Sequence, residues 1–276
     1  MTLFYFLVKI TLQLSSCFIF GLNGGVYMAC DSETKTNEEK KVVKNKETKM
    51  EEVKTQEGVL VLKSMPEFKM EAYDAASGHY KEVSSQDYKG KWTVVCFYPA
   101  DFTFVCPTEI AAMNAAAPML KELDVEVLAV STDTKFSHKR FVETEPLLKD
   151  LTLTIGADPT GEVTKKFGVM IEGAGLALRG RFLINPDGVI VAQEVQAPPV
   201  GRSVKEFVRQ IIAHQHAYKT DVVCPANWTP GKKTLPVNTD AEPMTGNVGA
   251  YVSLEDLIDA QDVADMQAMV KAAKEL

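Results

Sequence analysis

The sequence predicts an α/β protein, with a central mixed β-sheet covered by helices on both faces and a C-terminal arm beyond it. Three observations carry this expectation. Continuous apolar, β-branched runs mark strands buried on both faces. A segment with helical spacing of its apolar residues lies among them, and a strong turn sequence joins two of the runs as a hairpin. Buried strands alternating with amphipathic helices give such layers, because each apolar helix stripe must be covered by the sheet.

Taken in order, Trp92-Thr93-Val94-Val95-Cys96-Phe97-Tyr98 is the first buried run and Val125 to Val130 the second, with a helix expected from Ile110 to Leu123 between them. Phe182-Leu183-Ile184 and Val189-Ile190-Val191-Ala192 are two more strands, joined through Asn185-Pro186-Asp187-Gly188. Val204, Phe207, Val208, Ile211 and Ile212 share one helical face at i, i+3, i+4, i+7 and i+8. After about Thr220 the chain turns irregular, rich in Pro and Gly, and Ser253 to Leu276 reads as a final helix. With little core of its own, this stretch is expected to pack on a partner subunit.

The organisation read from composition is an extension over residues 1–57, a globular domain over 58–220 and an arm over 221–276. Ile10 to Leu22 is mostly apolar and follows Lys9, which resembles a signal-peptide core too short for a membrane span. Ala29-Cys30 before a charged tether hints at a lipid anchor, although Tyr27 and Met28 fit such cleavage poorly. The alternative is an inert extension or a start placed upstream of Met28 or Met50. Residues 31–57 interleave acidic and basic side chains with no aromatic residue, a composition that cannot offset its ordering entropy and reads as a flexible tether. The expected location is cytoplasmic, with secretion or membrane anchoring through residues 1–30 as the alternative.

A formal charge of −7 over 276 residues argues against nucleic acid as a partner, since phosphate neutralisation needs a basic face. Five cysteines are too few for a disulfide scaffold, and neither a Cys-x-x-Cys pair nor zinc-ligand spacing with the four histidines occurs. Cysteine chemistry, if present, belongs to a single reactive thiol. Cys96, inside an apolar strand, reads as a small hydrophobe. Cys106 follows a strand and opens a helix, with Pro107 suited to the first helical position and Glu109 placed as a capping carboxylate. Free N–H groups and the positive dipole end at such a place favour a thiolate, which is the nucleophilic form. His138 reads as a packing residue of the Phe136–Phe141 helix, and His214 and His216 as the polar side of the last core helix.

Pro99-x-x-x-Thr103-x-x-Cys106 resembles the active-site signature of the peroxiredoxins, thiol peroxidases of thioredoxin-like fold. The likeness extends through Phe97-Tyr98-Pro99, Val105 to Glu109, Val130 to Thr134, Phe136-Ser137-His138, Arg179 to Phe182, Asn185 to Gly188 and Val223-Cys224-Pro225-Ala226-Asn227-Trp228. It covers about residues 59–235 and is strongest to the typical two-cysteine, alkyl-hydroperoxide-reductase-C-like branch. The resemblance implies reduction of hydrogen peroxide and organic hydroperoxides. Cys106 would attack the terminal peroxide oxygen and become a sulfenic acid. Thr103 would hydrogen-bond thiolate and peroxide, Arg179 would stabilise thiolate and developing charge, Pro99 would exclude water, and Glu109 would orient the arginine. Cys224 would be the resolving thiol that forms an intersubunit disulfide.

The same resemblance implies no metal, haem or flavin cofactor, because sulfur carries the two electrons. It implies a homodimer with decamer assembly, and thioredoxin or a flavoprotein disulfide reductase as electron donor. Glu172-Gly173-Ala174-Gly175-Leu176-Ala177 stands where some family members carry Gly-Gly-Leu-Gly, and the terminal helix lacks a Tyr-Phe pair. Resistance to over-oxidation is the resulting expectation. The rival readings are a chaperone-like or redox-signalling assembly and a binding module without catalysis. The intact Pro99, Thr103, Cys106 and Arg179 set disfavours the second.

Overall fold

The structure is a computed structural model that describes residues 17–22, 25–30, 58–220, 222–236 and 251–274. The expectations for the apolar run before residue 17 and for the tether over 31–57 lie outside the described residues. Within residues 1–51, one of two compact units, Cys17–Leu22 (β1) and Gly25–Cys30 (β2) pair antiparallel. The sequence reading expected no strands there, although Asn23-Gly24 between the two segments is a hairpin signal.

The second unit, residues 52–276, carries the rest. Its elements begin with Lys69–Asp74 (β3), His79–Ser84 (β4) and Trp92–Phe97 (β5), followed by the helix Cys106–Glu122 (α1). Next come Val125–Ser131 (β6), Lys135–Thr144 (α2), Thr154–Ala157 (β7) and the short Glu162–Lys166 (α3). A two-residue pair, Met170–Ile171 (β8) and Leu176–Ala177 (β9), precedes the hairpin of Arg179–Ile184 (β10) and Ile190–Gln196 (β11). Val204–Lys219 (α4) is the last core helix; Val222–Val223 (β12), Leu235–Pro236 (β13), Leu254–Leu257 (α5) and Ala260–Ala273 (α6) complete the arm. The Ser253–Leu276 stretch is thus two helices rather than one. Asp259 interrupts it, accepting from the Asp262 backbone N–H as the N-cap of α6.

Seven strands form one mixed sheet in the order β11-β10-β5-β6-β7-β3-β4, with β5–β6 and β6–β7 parallel and the others antiparallel. Alternation along β5 sends Trp92 and Val94 into one core with Ile110, Leu120, Phe207 and Ile211, and Val95 and Phe97 into a second with Leu128, Phe167 and Phe182. Burying a side chain of this size contributes about 2 kcal/mol. Both faces are therefore covered, and α1 and α4 lie over the same face. This is the mixed α/β architecture expected.

The arm docks on α4. Trp228 is buried with its ring stacked on His216 at 4.9 Å, and its carbonyl accepts from Arg209 at 2.8 Å. Asn227 donates to the Leu257 carbonyl at 3.2 Å and Lys233 pairs with Asp256 at 2.9 Å, tying α5 to this arm. No residue of α6 is buried. Among the described residues, no helix is long and apolar enough to cross a membrane.

Candidate active site

The parallel strand β5 ends at Phe97, and the chain runs through Tyr98-Pro99-Ala100-Asp101-Phe102-Thr103-Phe104-Val105 into α1. The helix opens on Cys106 itself, as the placement of this residue between strand and helix predicted, although the apolar pattern alone shows only from Ile110. Val105 is the N-cap and Pro107 takes the second helical position rather than the first. No side chain caps this end, which leaves first-turn amides and the positive dipole end to act on the Cys106 side chain. Glu109 does not serve as the capping carboxylate that its spacing suggested. It turns inward because two buried arginines supply far stronger donors.

Cys106 is fully buried. Arg179, from the start of β10, points one guanidinium nitrogen, Nη1, at its sulfur at 3.4 Å, and donates from the same nitrogen to Glu109 Oε2 at 2.6 Å. Its Nε donates to the Pro198 carbonyl at 2.7 Å, so the guanidinium is held from both ends. Gly180 makes this placement work: a Cβ there would stand 2.6 Å from Cγ1 of the buried Val169.

Arg202, in the loop before α4, is the residue that sequence reasoning missed. Its backbone N–H and Nε each donate to Glu109 Oε1 at 2.8 Å, and Nη2 reaches Oε2 at 3.2 Å. Its remaining donors bond the Gly180 and Phe97 carbonyls at 2.7 and 3.0 Å. The only local signal was an arginine just before the Ser203 N-cap; its partner lies 93 residues away. Burial works to raise the Glu109 carboxyl, but the bonds and charge of Arg202, and then the charge of Arg179, outweigh it and hold the group below its ordinary value. In Arg202 the opposite balance holds: burial lowers its pKa, while Cys96 and Glu109 raise it further and prevail.

The other expected site residues fall around this cluster less evenly. Pro99, within the loop, is buried. Thr103 is exposed, and its hydroxyl donates to the Ala100 carbonyl at 2.9 Å, which leaves its oxygen lone pairs as acceptors. Cys224 lies beside α4. Its sulfur lies 3.6 Å from the Ala213 carbonyl of α4, and it, Cys106 and Cys96 are free thiols. Burial pushes the Cys224 thiol up, with Arg209 pulling the other way. Two surface grooves of about 650 and 600 Å³ are lined by none of these residues, so chemistry and not cavity size marks the site.

The chain is similar to several known proteins. Residues 61–193 match the AhpC/TSA family, and residues 213–244 match the C-terminal domain of 1-Cys peroxiredoxin. Alkyl hydroperoxide reductase C of Staphylococcus aureus is 42% identical over 182 residues, 66% of this chain and 96% of the relative. Among solved structures, the reduced 2-Cys peroxiredoxin of Plasmodium vivax superposes with a TM-score of 0.61 at 36% identity, covering 64% of this chain and 92% of that one. AhpC of Enterococcus faecalis superposes with a TM-score of 0.58 at 36% identity, covering 60% and 99%. With the fold, the buried cysteine at a helix start and these likenesses in agreement, the chain belongs to the AhpC/TSA family of peroxiredoxins and is a peroxidase.

Proposed function

We propose that this chain reduces hydrogen peroxide and organic hydroperoxides through Cys106. The Arg179 guanidinium standing 3.4 Å from a fully buried sulfur is the observation that carries the reading. Two buried guanidiniums, Arg179 and Arg202, share one carboxylate, Glu109. The cluster therefore holds one positive charge in excess, and a thiolate at Cys106 neutralises it. At 3.4 Å the attraction is about 5 kcal/mol for an effective dielectric near 20.

In the first step the Cys106 thiolate attacks the terminal oxygen of the hydroperoxide. An S–O bond forms, the O–O bond breaks, and the leaving alkoxide or hydroxide takes a proton to become alcohol or water. Sulfur is oxidised by two electrons to the sulfenic acid. Arg179 faces the charge that builds on the breaking bond, Glu109 and Arg202 hold Arg179 in place, Thr103 offers acceptor lone pairs at the pocket edge, and Pro99 keeps water out. In the second step the Cys224 thiolate of a second subunit attacks that sulfur and expels hydroxide, which leaves as water, and an intersubunit disulfide results. Thioredoxin or a flavoprotein disulfide reductase then returns both thiols. The names of the relatives support this reading.

The experiment is stopped-flow peroxide consumption by the wild type and Cys106→Ser. Loss of the reaction in the serine variant is expected; consumption at the wild-type rate would overturn the reading.

A further inference from the structure

His138 and Asp101 take no part in the chemistry above, yet both side chains are wholly buried and face one another. His138 Nδ1 lies 2.9 Å from Asp101 Oδ2 and 3.2 Å from Oδ1, while Nε2 lies 3.2 Å from the Gly156 carbonyl of β7. The ring is thus gripped on both edges. Asp101 receives two further bonds, from the Tyr98 hydroxyl at 2.8 Å and from the Ser137 hydroxyl at 2.7 Å. Burial and the Asp101 charge hold the Tyr98 phenol far above its ordinary value, so it keeps the proton that it donates. The Asp101 backbone N–H donates to Asp133 at 2.9 Å, and Asp133 is itself fixed by Ser131 at 2.7 Å. One residue is therefore joined to the end of β5, the end of β6, the first turn of α2 and, through His138, to β7.

The next residue marks an abrupt change. Phe102 sits at φ +56°, a left-handed conformation that costs a non-glycine residue free energy and persists only where the surroundings hold it. Its ring rests on Phe141 at 5.2 Å, but Phe102 is 60% exposed and Phe104 96% exposed. From Phe102 to Val105 the chain is a loosely covered bridge, anchored at Asp101 on one side and ending at Cys106 on the other. A fully buried sulfur at the far end cannot meet a thiol of another subunit until that bridge and the first turn of α1 unwind, because a disulfide needs Cα atoms within about 7 Å.

We propose that Asp101 and His138 form a positioning clamp that holds the Phe102–Cys106 bridge in its reactive shape and fixes Phe102 as the hinge at which the bridge opens. Neither residue touches the reacting atoms, so neither is catalytic. The clamp is complete in the closed state and slackens as the bridge unwinds, the strained Phe102 linkage relaxes with that opening, and the balance between the two reaction steps follows from how firmly Asp101 is held. This assignment rests on the peroxidase reading of Cys106.

The test measures two rates separately on the full chain, peroxide reaction and disulfide formation, in Asp101→Asn and in the milder Ser137→Ala, which removes one bond to Asp101 and stays informative where Asp101→Asn fails to fold. A loosened clamp misplaces the sulfur but makes opening easier. Peroxide reaction should slow by about tenfold in Asp101→Asn, with disulfide formation faster than in the wild type, and Ser137→Ala should move both rates the same ways by a smaller factor. Amide hydrogen exchange should quicken over residues 102–108 and stay unchanged in α4. A general loss of folding would slow both steps and quicken exchange throughout, and that pattern would overturn the clamp, as would wild-type rates in Ser137→Ala with wild-type exchange at the bridge. A wild type that does not react with peroxide would instead sink the peroxidase reading, and the clamp with it; a reactive wild type with unchanged variants sinks the clamp alone.

Discussion

Arg202 spends three of its bonds on the single carboxylate of Glu109, at 2.8, 2.8 and 3.2 Å, and thereby turns that carboxylate toward Arg179. Glu109→Gln removes the charge on which two buried guanidiniums depend. Breaking a buried pair in this way costs about 3 kcal/mol or more, and the freed Arg179 should lose its aim at Cys106. We expect peroxide turnover to fall by about tenfold to a hundredfold. Turnover is read by stopped flow and stability by urea unfolding.

The same carboxylate sets a pH dependence. Its folded-state pKa lies below its unfolded value of about 4.5, so it contributes stability above that pH and loses the contribution as pH falls through the lower, folded value. The stability difference between wild type and Glu109→Gln should be full at neutral pH and shrink below about pH 4.5. Denaturant midpoints measured across that range check it; a difference that grows on acidification would contradict the burial and pairing described for Glu109.

Gly180 separates Arg179 from Arg181 where no side chain fits. Val169, which a new Cβ would meet at 2.6 Å, is buried and cannot swing aside. Its backbone is bonded to Thr164 and Leu178 at 3.1 and 2.7 Å. Gly180→Ala should therefore shift β10 rather than Val169, at a cost of about 1–3 kcal/mol. Because Arg179 moves with the strand, peroxide turnover should drop along with the melting temperature. A variant that melts lower but turns over normally would show that Arg179 tolerates the shift.

These residues also show where the sequence was informative. Strand β5 announces itself because both faces are buried, which leaves a continuous apolar record, whereas β10 shows one only over Phe182–Ile184 because Arg179 and Arg181 precede it, and Asn185 to Gly188 marks the turn after it. Edge strand β4 left no such record: four of its six residues are exposed, so no apolar run forms. Strand β7 is too short for a period to show. At the site, Cys106 was legible from local chemistry, as a thiol between a strand and a helix. Arg202 was not, because it meets Glu109 only after the sheet brings distant segments together, and Glu109 read as a helix cap until those two arginines claimed it. His138 read as a packing residue; its buried contact with Asp101 depends on the same long-range closure.

Resistance to over-oxidation is expected if the sulfenic acid reaches its resolving thiol quickly. Glu172 to Ala177 replaces a Gly-Gly-Leu-Gly segment, and α6 buries none of its residues. A sulfenic acid that is quickly captured as a disulfide has little time to meet a second peroxide. Activity should persist through repeated turnover at micromolar peroxide, with the Cys106 sulfinic acid scarce by mass spectrometry. Rapid inactivation at that dose would show that another contact slows the opening.

Cys224 should govern the pH dependence of disulfide formation. Burial holds its thiol above the ordinary value while Arg209 draws it back, and the attacking species is the thiolate. The rate should therefore climb with pH, about tenfold per unit at pH below the thiol's pKa. Arg209 is kept in place by Glu206, at 2.7 Å to each carboxylate oxygen, and by the Trp228 carbonyl. Arg209→Met removes the cation and should move the climb to higher pH, slowing the step at neutrality; Arg209→Lys keeps the charge and should restore much of the rate. Loosening of the arm would lower the plateau without moving the midpoint, so the two effects separate on one plot. Cys224→Ser sets the baseline, since it should form no covalent dimer on non-reducing gels after peroxide treatment, and a persistent dimer band would assign resolution to a different thiol.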